Sequence, residues 1–276
     1  MHLMGRSRKK IISFVLIALA FVVGSGAFFK NHIQSFCFYN EFPSEAGVAK
    51  VIDGDTLVLD GGEKVRYLGI NAPEIRVRYG NQWIPRAQIC GAEAKAYNQK
   101  LVEGKRVRLE YDQKKRDDYN RILAYVWGDG ILINGEMLRQ GLALVDVRFP
   151  NRKHQKMFFD FQKEAREFHR GIWGKIEDHT FSEQEAFKLI GEIGGVQGTI
   201  ISVNIGRGKV YLHFGKNVEK DFTGIIYKDN LQSFPWESKE LARSFIGREV
   251  KIYGFVKNTE GPAIIISAPS QVDILD

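Results

Sequence analysis

The chain is 276 residues long and 44% apolar, with 19 phenylalanines. That content is ample for globular cores and excludes a chain too polar to fold, and the length suggests two domains besides any terminal segment. The formal net charge of +7 is unevenly placed: residues 1–30 hold five Lys/Arg and no acid, residues 46–175 hold 24 Lys/Arg against 17 Asp/Glu, and residues 176–276 hold 11 against 14. The middle of the chain is therefore basic by itself, as expected of a nucleic-acid partner, and the C-terminal part is slightly acidic. The two cysteines, Cys37 and Cys90, make no zinc site. In a reducing compartment they are small apolar residues; in an oxidising one they are able to pair.

Arg6–Lys10 is a basic cluster, and Ile11–Phe29 is a run of 19 uncharged residues. A helix of that length roughly crosses a hydrocarbon core, and the positive flank before it predicts a cytoplasmic N-terminus with everything after Lys30 outside. The rival reading is a signal peptide cut near Ala27, after the small residues Ser25-Gly26-Ala27. A buried core helix fits poorly, because the run is apolar all round. Residues 31–45 lack periodicity and read as a stalk.

The middle domain is expected over 46–175. Val51–Ile52 and Thr56–Leu59 alternate with Asp53 and Asp55, Gly61-Gly62 is a tight turn, and Val65–Ile70 is a second apolar strand ending at Asn71-Ala72-Pro73-Glu74. This hairpin brings Asp53 and Asp55 near Asn71 and Glu74, with Arg66 on the connecting strand. Hard oxygen ligands beside a carboxylate and an arginine suggest a divalent cation and a phosphate ester. Val77–Gln88 reads as a polar loop, Ala92–Leu101 as a helix ended by Gly104, and Arg106–Tyr111 and Arg121–Trp127 as strands. Asn134 is expected to cap a short helix, Gly135–Gln140, and a longer helix is expected over Lys153–Phe168. Five strands with an intervening helix predict a small Greek-key barrel of the OB type, flanked by helices.

Residues 176–192 read as a polar, helical linker. The last part, 193–276, offers five short β runs: Val196–Val203, Lys209–Phe214, Phe222–Tyr227, Glu249–Val256 and Ala263–Ser267. A helical piece, Leu241–Phe245, stands before the fourth. That order predicts a second, C-terminal OB-like barrel, so the fold class expected is mainly β with helices, two OB-type barrels and an N-terminal transmembrane helix. Tyr211, His213, Phe222, Tyr227 and Tyr253 offer aromatics there, although the negative charge of this part argues against a strong phosphate track.

Three segments of the middle domain resemble the staphylococcal nuclease (thermonuclease) family: VIDGDT at Val51–Thr56, VRYLGINAPE at Val65–Glu74, and DDYNRILAYV at Asp117–Val126, followed by the ING and RQGLA segments at Ile133–Gly135 and Arg139–Ala143. The resemblance implies a calcium-dependent phosphodiesterase that cuts DNA and RNA. It makes Asp55 a metal ligand, places Asn71 where a second ligand aspartate is usual, and places Ala72 where a backbone carbonyl completes the site. It makes Glu74 the carboxylate that activates water, Arg66 and Arg121 the phosphate-binding arginines, and Asp53 an acid close to the metal. An amide at Asn71 removes one negative charge and is expected to weaken calcium binding.

Elementary chemistry agrees. A phosphodiester is anionic, calcium offsets that charge, two arginines bind phosphate oxygens bidentately, and a carboxylate takes the proton from water. Tyr119 either stacks on a base or sugar or packs over its turn. Lys114-Lys115-Arg116 is either a solvated loop or a contact to the nucleic-acid backbone, with Lys115 the candidate, and Arg76 and Arg78 pose the same choice. The expected function is an exported nuclease of DNA or RNA with little sequence selectivity. The alternative is a weak or inactive module that binds nucleic acid or protein on the same scaffold.

Overall fold

The computed structural model describes residues 42–79, 82–85, 87–217, 220–234 and 245–275. The apolar run Ile11–Phe29, Cys37, most of the stalk and residues 241–244 of the expected Leu241–Phe245 helix lie outside the described residues. Among the described residues, no helix is long and apolar enough to cross a membrane.

The first half is built on β1 (Glu45–Val51), β2 (Thr56–Leu59) and β3 (Lys64–Tyr67), an antiparallel meander whose second turn is the Gly61-Gly62 hairpin. Next come β4 (Gly69–Asn71), β5 (Arg76–Tyr79) and β6 (Gln82–Pro85), then helix α1 (Gly91–Val102), β7 (Arg106–Glu110), β8 (Ile122–Gly128) and β9 (Ile131–Leu132). β3 pairs in parallel with β8, β8 pairs with β7, and β7 pairs with β1. The five strands β1, β2, β3, β8 and β7 thus close a barrel, filled by Val48, Leu57, Val65, Tyr67, Leu109, Ile122 and Val126. Helices α1, α2 (Ile133–Arg139) and α3 (Gln155–Glu167) flank it.

Three local expectations need correction. Val77–Gln88 is not a plain loop, because β5 and β6 pair antiparallel within it. Among the described residues this two-stranded ribbon shares no strand pairing with the barrel sheet. Asn134 is not a cap: it lies inside α2, fully buried. Its Oδ1 accepts from the Val126 amide at 2.8 Å and its Nδ2 donates to the Leu68 carbonyl at 2.9 Å. The side chain spends its hydrogen bonds across the barrel wall, and the helix begins two residues earlier than expected, at Ile133. The expected helical linker is short 3₁₀ turns at Ile176–His179 and Glu183–Leu189 around a strand, β11 (Thr180–Ser182). β11 lies parallel to the next strand, so tertiary pairing overrode the local helical composition.

Between the halves runs β10 (Leu144–Asp146), which pairs with β4. The second half adds β12 (Ile193–Thr199), β13 (Ser202–Gly206), β14 (Lys209–His213), β15 (Thr223–Tyr227), β16 (Glu249–Asn258), β17 (Pro262–Ile265) and β18 (Val272–Ile274). They form a second, eight-stranded open sheet in the order β11-β12-β16-β17-β15-β14-β13, with β18 on β16. Its own core includes Val196, Leu212, Phe214, Phe222, Ile226 and Ile264.

Residues 44–276 pack as one unit. Ile193, Tyr253 and Ala268 from the second half belong to the core cluster of the first. The Arg166 guanidinium bonds the Asp273 carboxylate and lies 4.8 Å from the Tyr253 ring centre. Gln162 Nε2 donates to Ser270 Oγ at 2.8 Å.

Candidate active site

Register explains how distant residues meet. Antiparallel pairing sets Thr56 opposite Arg66, and parallel pairing sets Arg66 opposite Leu123. Asp55 immediately precedes Thr56, and Arg121 stands just before Ile122, the partner of Val65. Asn71 and Glu74 follow β3 by way of β4. A cleft of about 420 Å³ opens there, lined by Asp53, Asp55, Arg66, Asn71, Glu74, Tyr119 and Arg121 among others.

Close packing fixes the loops. A Cβ on Gly54 would stand 2.5 Å from the Ala72 methyl and 2.8 Å from that of Ala94. Only glycine lets the turn between the two aspartates approach the Asn71–Glu74 segment and α1 so closely. At the other side, a Cβ on Gly91, the first residue of α1, would stand 2.6 Å from the Glu74 carbonyl oxygen. Gln88 secures the same segment twice, its Oε1 accepting from the Glu74 amide and its own amide donating to the Glu74 carbonyl, each at 2.8 Å.

Asp55 is buried at the centre. Arg66 Nη1 lies 2.7 Å from its Oδ2, the Ala72 amide donates to the same oxygen, and Thr56 Oγ1 donates to Oδ1 at 3.1 Å. The other arm of the guanidinium, Nη2, donates to Asn71 Oδ1 at 2.7 Å. Arg66 therefore bridges Asp55 and Asn71. Asp53 Oδ1 accepts from the Asp55 amide at 3.0 Å. Burial pushes the Asp55 carboxyl up to about 7; Arg66 opposes this and Asp53 adds to it. Burial also raises Asp53, with Glu74 contributing. Glu74, at the open side, is raised by burial and by Asp55, against the pull of Arg66 and Arg121. Three acids thus share one region that disfavours their ionised forms.

Arg121 is held by a turn of its own sequence. Asp117 Oδ2 accepts from Arg121 Nε at 2.7 Å, and Oδ1 accepts from the backbone amides of Tyr119 and Arg121. Asn120 takes a positive φ of 61° to close the turn. Burial works to raise the Asp117 pKa, but the bonds and charge of Arg121 outweigh it and hold it low. Tyr119 is 83% exposed, its ring 5.7 Å from the Arg121 guanidinium. It packs over the turn and faces the cleft at once.

One expected position falls differently. Lys115 does not line the cleft; its ammonium lies 5.7 Å from the Tyr111 ring, and Lys114 lines the cleft instead. Ala72 is buried beside the expected site, and its amide donates to Asp55 Oδ2. Residues that the sequence reading left out also line the cleft: Asp117, Asp146, Arg148 and Phe149. Pairing of β10 with β4 sets Asp146 opposite Gly69 and so delivers this second loop. Only the DDYN turn before Arg121 carried a local signal, an aspartate four residues ahead of the arginine that it holds.

Among the described residues, no three His, Cys, Asp or Glu side chains form a preassembled metal cradle. The donor set nonetheless suits a hard cation, because Asp53, Asp55, Asn71 and Glu74 are all oxygen donors around one cleft. A cation would relieve the crowding that raises the three acids.

The family model described as staphylococcal nuclease homologue matches residues 64–175. The thermonuclease of Staphylococcus hyicus is 31% identical over 166 residues, covering 59% of this chain and 92% of the relative. The thermonuclease of Staphylococcus intermedius is 32% identical over the same length and shares. Endonuclease YncB of Bacillus subtilis (strain 168) is 31% identical over 201 residues, 61% of this chain and 93% of the relative. With relatives of this identity matched over nearly their whole length, and with the barrel and cleft described above, the chain belongs to the staphylococcal nuclease family and is an enzyme of the nuclease class, a phosphodiester hydrolase.

Proposed function

We propose that the chain is an exported, calcium-dependent nuclease that hydrolyses phosphodiester bonds of DNA, RNA or both with little sequence selectivity. The observation that carries the reading is the convergence of two guanidinium groups and three carboxylates, drawn from separate segments, on one cleft. Asp55 and Asn71 would hold the cation, with Asp53 beside them. When bound, calcium offsets negative charge at a phosphate oxygen.

The other roles belong to side chains. Arg66 and Arg121 bind phosphate oxygens and stabilise charge that develops at phosphorus. Arg66 bridges Asp55 and Asn71, so it stands directly beside the residues that would hold the cation. Asp117 is a positioning residue: it holds Arg121 through Nε, leaving the Nη donors for the substrate. Glu74 is the base that takes a proton from the attacking water, and the burial that raises its pKa makes it more basic than a free carboxylate. Contacts to phosphate alone carry no base code, which supports low sequence selectivity.

We also read both sheets as OB-type barrels. In the first, a meander is followed by a parallel pair between its third and fifth strands. The second repeats this: β14 lies between β13 and β15, β15 is parallel to β17, and β16 pairs with both β17 and β12. Only Ile200 and Ile201 separate β12 from β13, so the two count as one bent strand that completes the ring. The basic cluster and apolar run at the N-terminus support an uncleaved anchor that presents residues 46–276 outside the cytoplasm. The intact mass of the exported protein distinguishes an anchor from cleavage near Ala27.

The test of activity is incubation with single- and double-stranded DNA and with RNA, in calcium or in chelator. Cleavage that needs calcium supports the nuclease reading. Binding without cleavage supports the alternative of a binding module, which the missing charge at Asn71 favours.

A further inference from the structure

The second half holds a cleft of about 620 Å³ at the place in its sheet that corresponds to the catalytic cleft in the first. The catalytic cleft is framed by the turn between β1 and β2, by Arg66 of β3, and by the connection between β7 and β8. The second is framed by Arg207 in the turn between β13 and β14, by Tyr227 of β15, and by Glu260 in the turn between β16 and β17. In both halves the framing strand is the one paired in parallel with the strand that follows the last turn.

Its lining suits flat, anionic ligands. Tyr211 and His213 lie two apart on β14, so both point to one face. Their rings are parallel within 3°, centroids 6.0 Å apart. His213 is buried, with Nδ1 3.3 Å from Thr223 Oγ1 and Nε2 3.3 Å from Asn204 Nδ2; burial lowers its pKa. The Lys209 ammonium lies 5.2 Å from the Tyr227 ring centre. Arg207 and Lys209 supply positive charge, and among the described residues Glu260 is the one acid in the lining. The half is slightly acidic as a whole, but this face is not. The other two expected aromatics are out of reach: Phe222 is in the core, and Tyr253 is buried with its hydroxyl on Glu177 and Asp273.

The two clefts are linked through a third. A crevice lined by Asn71, Asp146, Lys257 and Ile265 lies between them. Asn71 and Asp146 also line the catalytic cleft, and Ile265 also lines the second. Lys257 stands within electrostatic reach of Arg66 and Arg148. Arg148 in turn stands within reach of Tyr227.

We propose that the second cleft binds an unpaired stretch of the same nucleic-acid strand whose phosphodiester occupies the catalytic cleft, with bases stacked on Tyr211 and Tyr227 and phosphates passing Lys257, Lys209 and Arg207. The substrate class rests on the nuclease reading. Stacking on a ring needs an exposed base face, so the ligand is single-stranded; every base has such a face, so the site is tolerant of sequence.

The test uses the full chain and two double variants, Tyr211→Ala with Tyr227→Ala and Arg207→Glu with Lys209→Glu, their folding checked by thermal melting. In chelator, fluorescence anisotropy measures binding of a labelled oligothymidylate of about 20 nucleotides. Each variant should weaken binding about tenfold or more. The charge variant alone should flatten the dependence of log affinity on log salt. In calcium, both should lose kcat/KM on the oligonucleotide and keep it on a thymidine diester too short to leave the catalytic cleft. Binding equal to wild type in both variants overturns the proposal, as does an equal loss on long and short substrates. If the wild-type chain cuts nothing but still binds the oligonucleotide in a way the variants abolish, the nuclease reading fails and the second binding site stands.

Discussion

At the scale of single residues, the carboxylate of Asp55 sets the chemistry of the site. Its folded pKa of about 7 lies above the ordinary 3.8 because it is buried, and Asp53 is raised in the same direction. Between those two values the folded, cation-free protein holds a proton that the unfolded chain has lost, so this group's contribution to stability falls as pH rises through that range. A cation favours the ionised form and reverses the trend. The melting temperature should therefore rise more on adding calcium at about pH 8 than at about pH 5, which differential scanning fluorimetry reads directly. Equal gains at both values would place the cation elsewhere. Asn71 is the second test. Restoring a charge with Asn71→Asp should tighten calcium binding by about tenfold, measured by titration calorimetry, since ligand charge sets calcium affinity. The acids, Asn71 and both arginines were legible in the sequence, because each sits inside a short motif. Asp146 and Arg148 were not: what brings them to the cleft is the pairing of β10 with β4, which no local spacing encodes.

At the scale of elements, the barrel strands followed from alternation of apolar residues, and α1 differs from the expected Ala92–Leu101 by one residue at each end. The misses have a common cause, since in each the deciding partner is remote. Asn134 has the residue type of a cap, yet it lies within α2 and its bonds go to Val126 and Leu68 on the barrel wall. Replacing it with Ala leaves the Val126 amide and the Leu68 carbonyl without that partner in the core. Asn134→Ala should destabilise folding by about 2–3 kcal/mol, read from urea denaturation. A loss of only a few tenths, the size expected for exchanging a weak helix-interior residue, would contradict the structural role given to this side chain. Likewise, the stretch 176–192 looks helical by composition, yet Thr180–Ser182 within it pairs with β12.

At the scale of the whole molecule, the two halves share a core and polar bonds. Besides the Arg166–Asp273 pair, Gln88 Nε2 donates to the Gly191 carbonyl at 2.6 Å, while its Oε1 holds the Glu74 amide. The loop that carries Glu74 is thus tied to the start of the second half. Residues 44–276 should unfold in one cooperative transition, with calorimetric and van't Hoff enthalpies in agreement. Two separate transitions would mean that the halves are independent. Two β-rich halves were visible from the sequence as runs of short strands, but their docking depends on Tyr253, Asp273 and Ser270, which have no motif around them.

The central claim is that Glu74 acts on a phosphodiester held by Arg66 and Arg121, and cleavage by Glu74→Gln in calcium tests it most directly. The amide keeps the size of the side chain but has no basicity. The account predicts that kcat falls by about 10²-fold or more while binding of single-stranded DNA in chelator is preserved. Cleavage at the wild-type rate by the Gln variant would contradict it.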